Sequence, residues 1–164
     1  SIDDNGDFVA FISLATNLMP GQIDRPPIPF EGDDVFLYER SSGAITLLSH
    51  TAGSTVTTGN WLSLEPKISG NGAYITFSSS STDLAGGDNP DSGQDVFLYN
   101  RLTGVMTLLS PPNAPPLGPG YYAGGLINQD GRFVAFSGTA SNLVAQDFNL
   151  KSDVFLWSDP SPGR

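Results

Sequence analysis

Short apolar runs recur along the chain and predict β-strands. The clearest run is Asp95-Val96-Phe97-Leu98-Tyr99, and copies of it stand at 34–38 and 153–157. Val35, Val96 and Val154 are 61 and 58 residues apart, which indicates a repeated unit. The apolar residues do not keep a spacing of 3.6 over a helix length, so the pattern predicts a protein built from strands.

A second copied run lies upstream of each of these strands. It reads Gly72-Ala73-Tyr74-Ile75-Thr76-Phe77-Ser78 in the middle unit, with counterparts at 6–11 and 131–137. A nearly continuous apolar run is expected of a strand that is covered on both faces. An Asn-Gly or Asp-Gly pair opens each copy, and such a pair predicts a two-residue hairpin.

The middle unit contains four predicted strands, at 65–69, 73–78, 95–99 and 105–109. Four antiparallel strands make up one blade of a β-propeller. The first unit lacks most of its opening strand, and the third has no fourth strand. We therefore predict an all-β fold of β-propeller-like blades, about three repeats of roughly 60 residues, with incomplete terminal blades. Residues 1–164 are expected to form a single repeat domain, with blade units at about 1–50, 61–110 and 122–158.

Several residues outside the copied strands are candidates for partner contacts. The insertion at 14–33 is the least copied part of the repeat, and Pro26 and Pro27 lie within it. Tyr121 and Tyr122 have no counterparts in the other units, and we expect them to line an exposed surface with Trp61. Trp157 closes the third copy, where a returning strand is missing, so we expect a partner there.

Charge and composition exclude several classes of protein. The net charge of −10, with seven Lys and Arg residues, repels phosphate backbones and anionic membranes, so nucleic acid is not an expected partner. The absence of Cys excludes disulfides, thiolate metal sites and a Cys nucleophile. No apolar run reaches the length of a membrane span, and the chain opens at Ser1 without a signal peptide, which suggests a processed chain or a fragment. Abundant Ser, Thr, Gly and Asn with few Lys favours a secreted, periplasmic or cell-surface location.

Acidic loops offer a candidate metal site. Asp147, Asn149 and Asp153 bring three side-chain oxygens into one short loop, which suits calcium. Related acidic sets stand in the other units; they are Asp88, Asp91 and Asp95, and Asp24, Asp33 and Asp34. The alternative is that these side chains accept hydrogen bonds from nearby backbone and start the following strand. Asp recurs before Val-Phe-Leu in all three units, which favours this structural role for Asp34, Asp95 and Asp153.

Catalytic residues are not evident. His50 is the only histidine, and no Gly-x-Ser-x-Gly nucleophile motif is present. We interpret His50 as a solvated connector residue. Adjacent carboxylates such as Asp33 and Asp34 would point to opposite faces of a strand, so they do not form an acid–base pair. The repeated Phe and Tyr residues are interpreted as core, and the chain is not expected to be an enzyme.

The copied residues resemble a known family. The pattern Asp-Gly-Arg-Phe-Val-Ala-Phe-Ser at 130–137, followed by Ser141-Asn142-Leu143-Val144 and by the run at 153–156, is similar to the TolB-like β-propeller repeats of bacterial envelope and secreted proteins. The resemblance implies a propeller fold that serves as a binding platform or accompanies a serine peptidase. These units are longer than the usual repeat of that family, and three blades fall short of a closed ring.

Two functions follow as hypotheses. The first is a non-catalytic interaction or scaffold module in a bacterial envelope or extracellular assembly. The alternative is an accessory propeller part of a larger enzyme such as a hydrolase, with its catalytic residues outside this chain. Expected partners are a protein, further propeller blades or a second copy of the chain.

Overall fold

The computed structural model describes residues 1–25, 32–85, 93–110, 122–139 and 151–159, with the backbone alone at 122–124. Within these ranges the chain forms ten strands and no helix. The strands are β1 (Phe8–Ser13), β2 (Asp34–Glu39), β3 (Ile45–Leu47), β4 (Ser63–Ile68), β5 (Tyr74–Ser79), β6 (Asp95–Asn100), β7 (Val105–Leu108), β8 (Tyr122–Ile127), β9 (Phe133–Gly138) and β10 (Asp153–Ser158).

The strands form three antiparallel sheets. Sheet 1 has the order β1-β2-β3, sheet 2 has β4-β5-β6-β7, and sheet 3 has β8-β9-β10. Ile2 pairs with Val9 in an isolated antiparallel bridge beside β1, where β4 and β8 lie in the other sheets. Among the described residues, no strand lies on the free edge of β10. The predicted all-β fold of blade-like sheets, with the first and last incomplete, is confirmed.

Two apolar cores lie between the three sheets, and sheet 2 contributes side chains to both. The first core joins residues of sheets 1 and 2, and the second joins sheets 2 and 3. Alternation along β6 explains this arrangement, because Phe97 and Tyr99 enter the first core while Val96 and Leu98 enter the second. Sheet 2 is therefore covered on both faces, as its continuous apolar runs predicted.

A pair of phenylalanines from neighbouring strands packs in each sheet. The ring centroids lie 5.8 Å apart in sheet 1 and 5.7 Å apart in sheets 2 and 3, and the pairs are Phe11–Phe36, Phe77–Phe97 and Phe136–Phe155. Phe36 and Phe97 are fully buried. The interpretation of the copied aromatic residues as core is confirmed for Phe36, Phe77, Phe97, Phe136 and Phe155, whereas Phe133 at the start of β9 is 43% exposed.

The turns before β1, β5 and β9 differ from the prediction. In sheet 2 the Ser69 amide donates to the Tyr74 carbonyl at 2.9 Å, and the Gly72 amide donates to the Ser69 carbonyl at 2.9 Å, so the loop has four residues and the two-residue hairpin was wrong. The Ser69 side chain accepts from the Tyr74 amide at 3.0 Å. Asp3 and Asn128 do the same for Phe8 and Phe133. These three side chains hold the turn open at four residues.

The connections gather at two opposite ends of the sheets. Short turns at 3–7, 40–44, 69–73, 101–104 and 128–132 lie at one end, which we call the hairpin end. The other end, which we call the long-loop end, carries the strand termini at Ser13, Asp34, Leu47, Ser63, Ser79, Asp95, Leu108, Tyr122, Gly138 and Asp153, with the described residues 14–25, 32–33, 48–62, 80–85, 93–94, 109–110, 139 and 151–152 next to them. This division follows from the antiparallel order of the strands.

The turns of all three sheets meet at the hairpin end. The Asp4 amide donates to the Gly70 carbonyl at 3.0 Å, and the Asn71 amide donates to the Gln129 carbonyl at 2.9 Å. Gln129 Nε2 also donates to Asp4 Oδ2 at 2.9 Å, which joins sheet 3 to sheet 1 directly. The Arg101 guanidinium lies 3.9 Å from the centroid of the Phe8 ring, a cation–π contact between sheets 2 and 1.

Candidate functional site at the long-loop end

The described first part of the 14–33 insertion is held against the connector that follows β3. The Ile23 amide donates to the Val56 carbonyl at 2.8 Å, and the Thr58 amide donates to the Ile23 carbonyl at 3.0 Å. Ile23 and Thr57 thereby form an isolated parallel bridge. The insertion is tied to a connector more than thirty residues away in sequence, so its backbone position depends on the fold of sheets 1 and 2.

Side chains strengthen this attachment. Arg25 Nη1 lies 2.6 Å from Asp83 Oδ2, in an ion pair whose side chains are 41% and 23% exposed. Asp83 Oδ1 accepts from the Asn60 amide at 3.1 Å. Gln22 Nε2 donates to the Ala15 carbonyl at 2.7 Å and closes the insertion on itself. The described part of the insertion, residues 14–25, is therefore attached to the neighbouring loops, and the ion pair adds modest strength because it is partly solvated.

Three large apolar side chains remain exposed on these tied loops. Leu14 is 54% exposed, Ile23 is 55% exposed and Trp61 is 41% exposed. The backbone of Trp61 is fixed by Ser81, whose hydroxyl accepts from the Trp61 amide at 2.9 Å and donates to its carbonyl at 2.6 Å. We call Leu14, Ile23 and Trp61 the apolar loop residues. Exposed apolar groups on a fixed scaffold are suited to partner contacts.

An Asp and a Ser form a buried pair at this end of sheet 1. The Ser49 hydroxyl donates to Asp34 Oδ1 at 2.7 Å and accepts from the Val35 amide at 3.0 Å. Burial raises the pKa of Asp34 from 3.8 to about 7, the Ser49 hydrogen bond opposes this rise, and the charges of Asp24 and Asp33 add to it. The pair joins the start of β2 to Ser49, the second residue after β3.

Sheet 2 repeats this arrangement. The Ser110 hydroxyl donates to Asp95 Oδ1 at 2.6 Å and accepts from the Val96 amide at 3.2 Å. Both residues are 1% exposed. The strand-starting role expected for Asp34 and Asp95 is confirmed. The serines were not predicted, although Thr-Leu-Leu-Ser at 46–49 and 107–110 is itself a copied motif that marks them.

The predicted calcium site is only partly within the described residues. Asp153 begins β10, paired with Gly138, whereas Asp147 and Asn149 lie outside the described residues. Asp88 and Asp91 also lie outside them. In the part of the chain that the structure describes, no group of three or more His, Cys, Asp or Glu residues is arranged to hold a metal ion. Calcium at Asp147, Asn149 and Asp153 stays a prediction.

Only two of the five predicted partner-contact residues, Tyr122 and Trp157, lie within the described residues. Pro26, Pro27 and Tyr121 lie outside the described residues, and Tyr122 begins β8. Trp157 packs in part against the second core, so this side of its strand faces sheet 2. Partner contacts at these positions remain predictions.

His50 is not a solvated residue, because it is half-buried and its ring packs edge-on against Tyr99 with centroids 6.3 Å apart. It also bridges to Thr58 in the connector. The contact between His50 and Tyr99 could not be predicted, since nothing in the sequence places the connector over Tyr99.

Two residues of β10 that the sequence did not single out are strongly exposed. Val154 is 80% exposed and Leu156 is 68% exposed. Their counterparts Val35 and Leu37 in β2 are 0% and 5% exposed, and Val96 and Leu98 in β6 have the same values. Strand alternation puts Val154 and Leu156 on the face opposite to Phe155 and Trp157, the face that in β2 and β6 packs against the next sheet.

A strained residue lies in β4. Glu65 has a φ of 55°, in the left-handed region, at a bulge between Leu64 and Lys67. Sheet 3 has the same irregularity between Ala123 and Leu126, where Gly125 has a φ of 27°. The bulge is therefore a repeated feature of this strand, which the sequence did not reveal.

Comparison with known proteins supports the fold. The chain matches a solved structure titled "Crystal structure of the tricorn protease" with a TM-score of 0.56 and 13% sequence identity, over 94% of this chain and 13% of that chain. The chain thus spans a small part of that protein, and the likeness extends to the fold alone, a β-propeller-like arrangement. No family model matches the chain, and no curated protein matches it either.

No described residue belongs to a helix that could cross a membrane.

Proposed function

We propose that the chain is a non-catalytic interaction module of a bacterial envelope or extracellular assembly. The observation that carries this proposal is the long-loop end, where the apolar loop residues stand exposed on loops that are tied to rigid sheets. A binding protein needs such a fixed apolar surface, since ordering a mobile loop on binding would cost affinity. The secreted, periplasmic or cell-surface location belongs to this proposal and rests on composition.

The partner in this proposal is a protein. Leu14, Ile23 and Trp61 offer aliphatic and aromatic contacts of the kind that dominate protein interfaces. The chain carries a net charge of −10, so a partner with a basic rim around an apolar centre would associate faster. The Arg25–Asp83 ion pair joins the segment two residues after Ile23 to Asp83, which also accepts from the amide of Asn60, the neighbour of Trp61.

The experiment that tests the proposal compares two matched variants in partner capture. Immobilised chain is cross-linked to envelope and secreted proteins of the source cells, and bound proteins are quantified by mass spectrometry. Ile23→Asp changes a side chain that is 55% exposed at the long-loop end, and Leu102→Asp changes one that is 66% exposed at the hairpin end. We expect one protein to be lost by about tenfold or more with Ile23→Asp and retained with Leu102→Asp. Equal recovery with both variants would contradict the proposal.

The alternative is an accessory propeller part of a larger hydrolase. The likeness to a structure titled as a protease, of which this chain covers 13%, favours keeping it. In that case the partner surface would contact a catalytic domain of the same polypeptide. The parent reading frame decides between the two, because a hydrolase domain encoded in it would favour the accessory role.

A further inference from the structure

Two turns of the hairpin end carry the same chemically reactive pair of residues. Asn5-Gly6 precedes β1, and Asn71-Gly72 precedes β5. The backbone is nearly the same in both, since Gly6 has a φ of 67° and Gly72 a φ of 68°. An Asn followed by Gly loses ammonia without a catalyst, because Gly has no side chain to hinder attack of its amide nitrogen on the Asn side chain. The two pairs can therefore be compared within one chain.

The side chain of Asn71 is held in place by hydrogen bonds. Its Oδ1 accepts from the Ser69 hydroxyl at 2.7 Å and from the Ala73 amide at 3.0 Å. Its Nδ2 donates to the Asp130 carbonyl of sheet 3 at 3.3 Å. Rotation of this side chain toward the Gly72 amide requires these bonds to open, and Gly72 itself is buried.

The side chain of Asn5 is exposed and is not held. Within the part of the chain that the structure describes, it makes none of the hydrogen bonds that its counterpart Asn71 makes, nor any other. Gly6 is only half-buried, so solvent reaches this turn more easily than the turn at Gly72. The Asn5 side chain is thus free to rotate toward the Gly6 amide.

The residue two positions before each Asn explains this difference. Asp3 stands in sheet 1 where sheet 2 has Ser69, and both side chains accept from the first amide of the strand that follows. The Ser69 hydroxyl still has a proton, which it donates to Asn71. A carboxylate has no proton to donate, so Asp3 cannot hold Asn5 in the same way.

The freedom of Asn5 does not come from a missing neighbour on the side that Asn71 uses. Asn71 bonds to the turn of the next sheet along the chain. The next sheet for Asn5 is sheet 2, and its turn is in place, since the Asp4 amide donates to the Gly70 carbonyl at 3.0 Å.

We propose that Asn5 is a site of spontaneous deamidation, which converts faster than Asn71 in the folded chain. The Gly6 amide nitrogen gives up its proton to solvent base and attacks Cγ of Asn5. The new C–N bond forms, the Cγ–Nδ2 bond breaks, and the leaving nitrogen takes up a proton and departs as ammonia, which leaves a cyclic succinimide. Water then opens the ring: addition at Cγ gives aspartate, and addition at the main-chain carbonyl gives isoaspartate. Water is the only co-reactant, and nothing is oxidised or reduced.

Isoaspartate at position 5 should loosen the hairpin end. It inserts a methylene group into the main chain of a turn in which Asp4 accepts from Gln129 at 2.9 Å and donates to Gly70. Both products also add a negative charge next to Asp4. We therefore expect the converted chain to unfold at a lower temperature. The long-loop end is not involved, so this inference is independent of the proposed function.

Peptide mapping of the aged chain tests the inference. The folded native chain is incubated at neutral and at mildly alkaline pH, and chromatography with mass spectrometry follows aspartate and isoaspartate at both Asn positions. We expect Asn5 to convert at least about tenfold faster than Asn71, because the bonds to the Asn71 side chain must open first. The rate at Asn5 should rise with pH, since the attacking nitrogen must lose its proton. A urea-unfolded sample is the control, in which both residues should convert at similar rates.

Reciprocal variants test the cause. Ser69→Asp gives sheet 2 the side chain that sheet 1 has, so Asn71 loses its hydroxyl donor and should convert several-fold faster. Asp3→Ser should slow the conversion of Asn5, because it supplies that donor. Asn5→Gln removes the reaction at this position, because the longer side chain closes a less favourable ring. Its thermal midpoint should stay constant during the incubation in which that of the native chain falls. Circular dichroism checks that each variant is folded.

Two results would overturn the inference. One is equal or faster conversion of Asn71 in the folded native chain. The other is a preference for Asn5 of the same size in the urea-unfolded chain, which would assign the difference to sequence and not to the hydrogen bonds of the turns. Both are read from the native chain, so the test does not depend on the folding of any variant.

Discussion

At the scale of single residues, the Asp that begins the third strand of each blade has a structural function in sheets 1 and 2. Asp34 accepts from Ser49 and Asp95 accepts from Ser110, so each carboxylate fixes the end of the neighbouring strand. The electrostatic environment of Asp34 includes two nearby negative charges, those of Asp24 and Asp33, which raise its pKa. The burial of an acid beside other acids makes its protonation part of the stability of the fold.

Asp34 should make stability depend on pH. Its folded pKa of about 7 lies above the unfolded value of 3.8, so the folded state binds the proton more tightly. The contribution of Asp34 is therefore present at low pH and is lost as pH rises through about 7. The native chain should therefore lose about 2 kcal/mol of unfolding free energy as pH rises through this range, allowing for partial solvation. We expect Asp34→Asn not to show this loss.

Urea unfolding of the native chain and of Asp34→Asn between about pH 4.5 and 8 measures this contribution as the difference between their free energies of unfolding. The other carboxylates titrate in both proteins and cancel. A difference that stays constant over this range would show that Asp34 does not take up a proton on folding.

At the scale of elements, the Ser that follows the fourth strand secures the pairing of β6 and β7. Ser110→Ala removes a donor to Asp95 and an acceptor for the Val96 amide, at a site that is 1% exposed. We expect a loss of about 1–3 kcal/mol in the free energy of unfolding. The exposed Ser41, which donates to Glu39 at 3.2 Å, gives the matched variant Ser41→Ala, expected within about 0.5 kcal/mol of the native chain. Similar losses in both variants would refute the role of the buried hydroxyl.

Two glycine variants separate the effect of contact between sheets on stability from the effect of turn conformation. Gly131 and Gly43 have φ values of 78° and 71°, so Ala costs about 1–2 kcal/mol of backbone strain at each. A Cβ at Gly131 would clash with the ring of Tyr74 in sheet 2, and one at Gly43 would meet nothing within 4 Å. Gly131→Ala should therefore lose a further 1–3 kcal/mol or so compared with Gly43→Ala. Thermal unfolding of the two variants measures this gap, and equal midpoints would mean that Tyr74 moves aside freely.

At the scale of the whole molecule, stability should be graded across the sheets. Sheet 2 lies between two cores, while β10 exposes Val154 and Leu156 to solvent. Amide hydrogen exchange followed by mass spectrometry should show slow exchange in β5 and β6 and faster exchange in β10. Equal protection of β10 and β6 would contradict this gradient.

Much of this architecture is predictable from the repeats, and the unpredicted parts have physical reasons. The copied strands at 34–38 and 95–99 are in register, so their aromatic residues and strand positions follow from comparison alone. The four-residue turns escape prediction because Asp3, Ser69 and Asn128 share a hydrogen bond but not a residue type. The long-loop contacts escape it because they join segments with no copied sequence. Val154 and Leu156 look like core residues in the sequence, because their copies are buried, and they are exposed because no sheet of the described residues packs on that face of β10.

The junction of turns at the hairpin end has a consequence for the order of folding. The bond from Gln129 to Asp4 joins residues 125 positions apart, and it needs sheets 1, 2 and 3 to be in place beforehand. Because the contact is of such long range, we expect it to form late, after the transition state has built the nearer contacts. Loss of the junction should then raise mainly the rate of unfolding, since the two outer sheets would separate sooner, and should leave the rate of folding nearly the same.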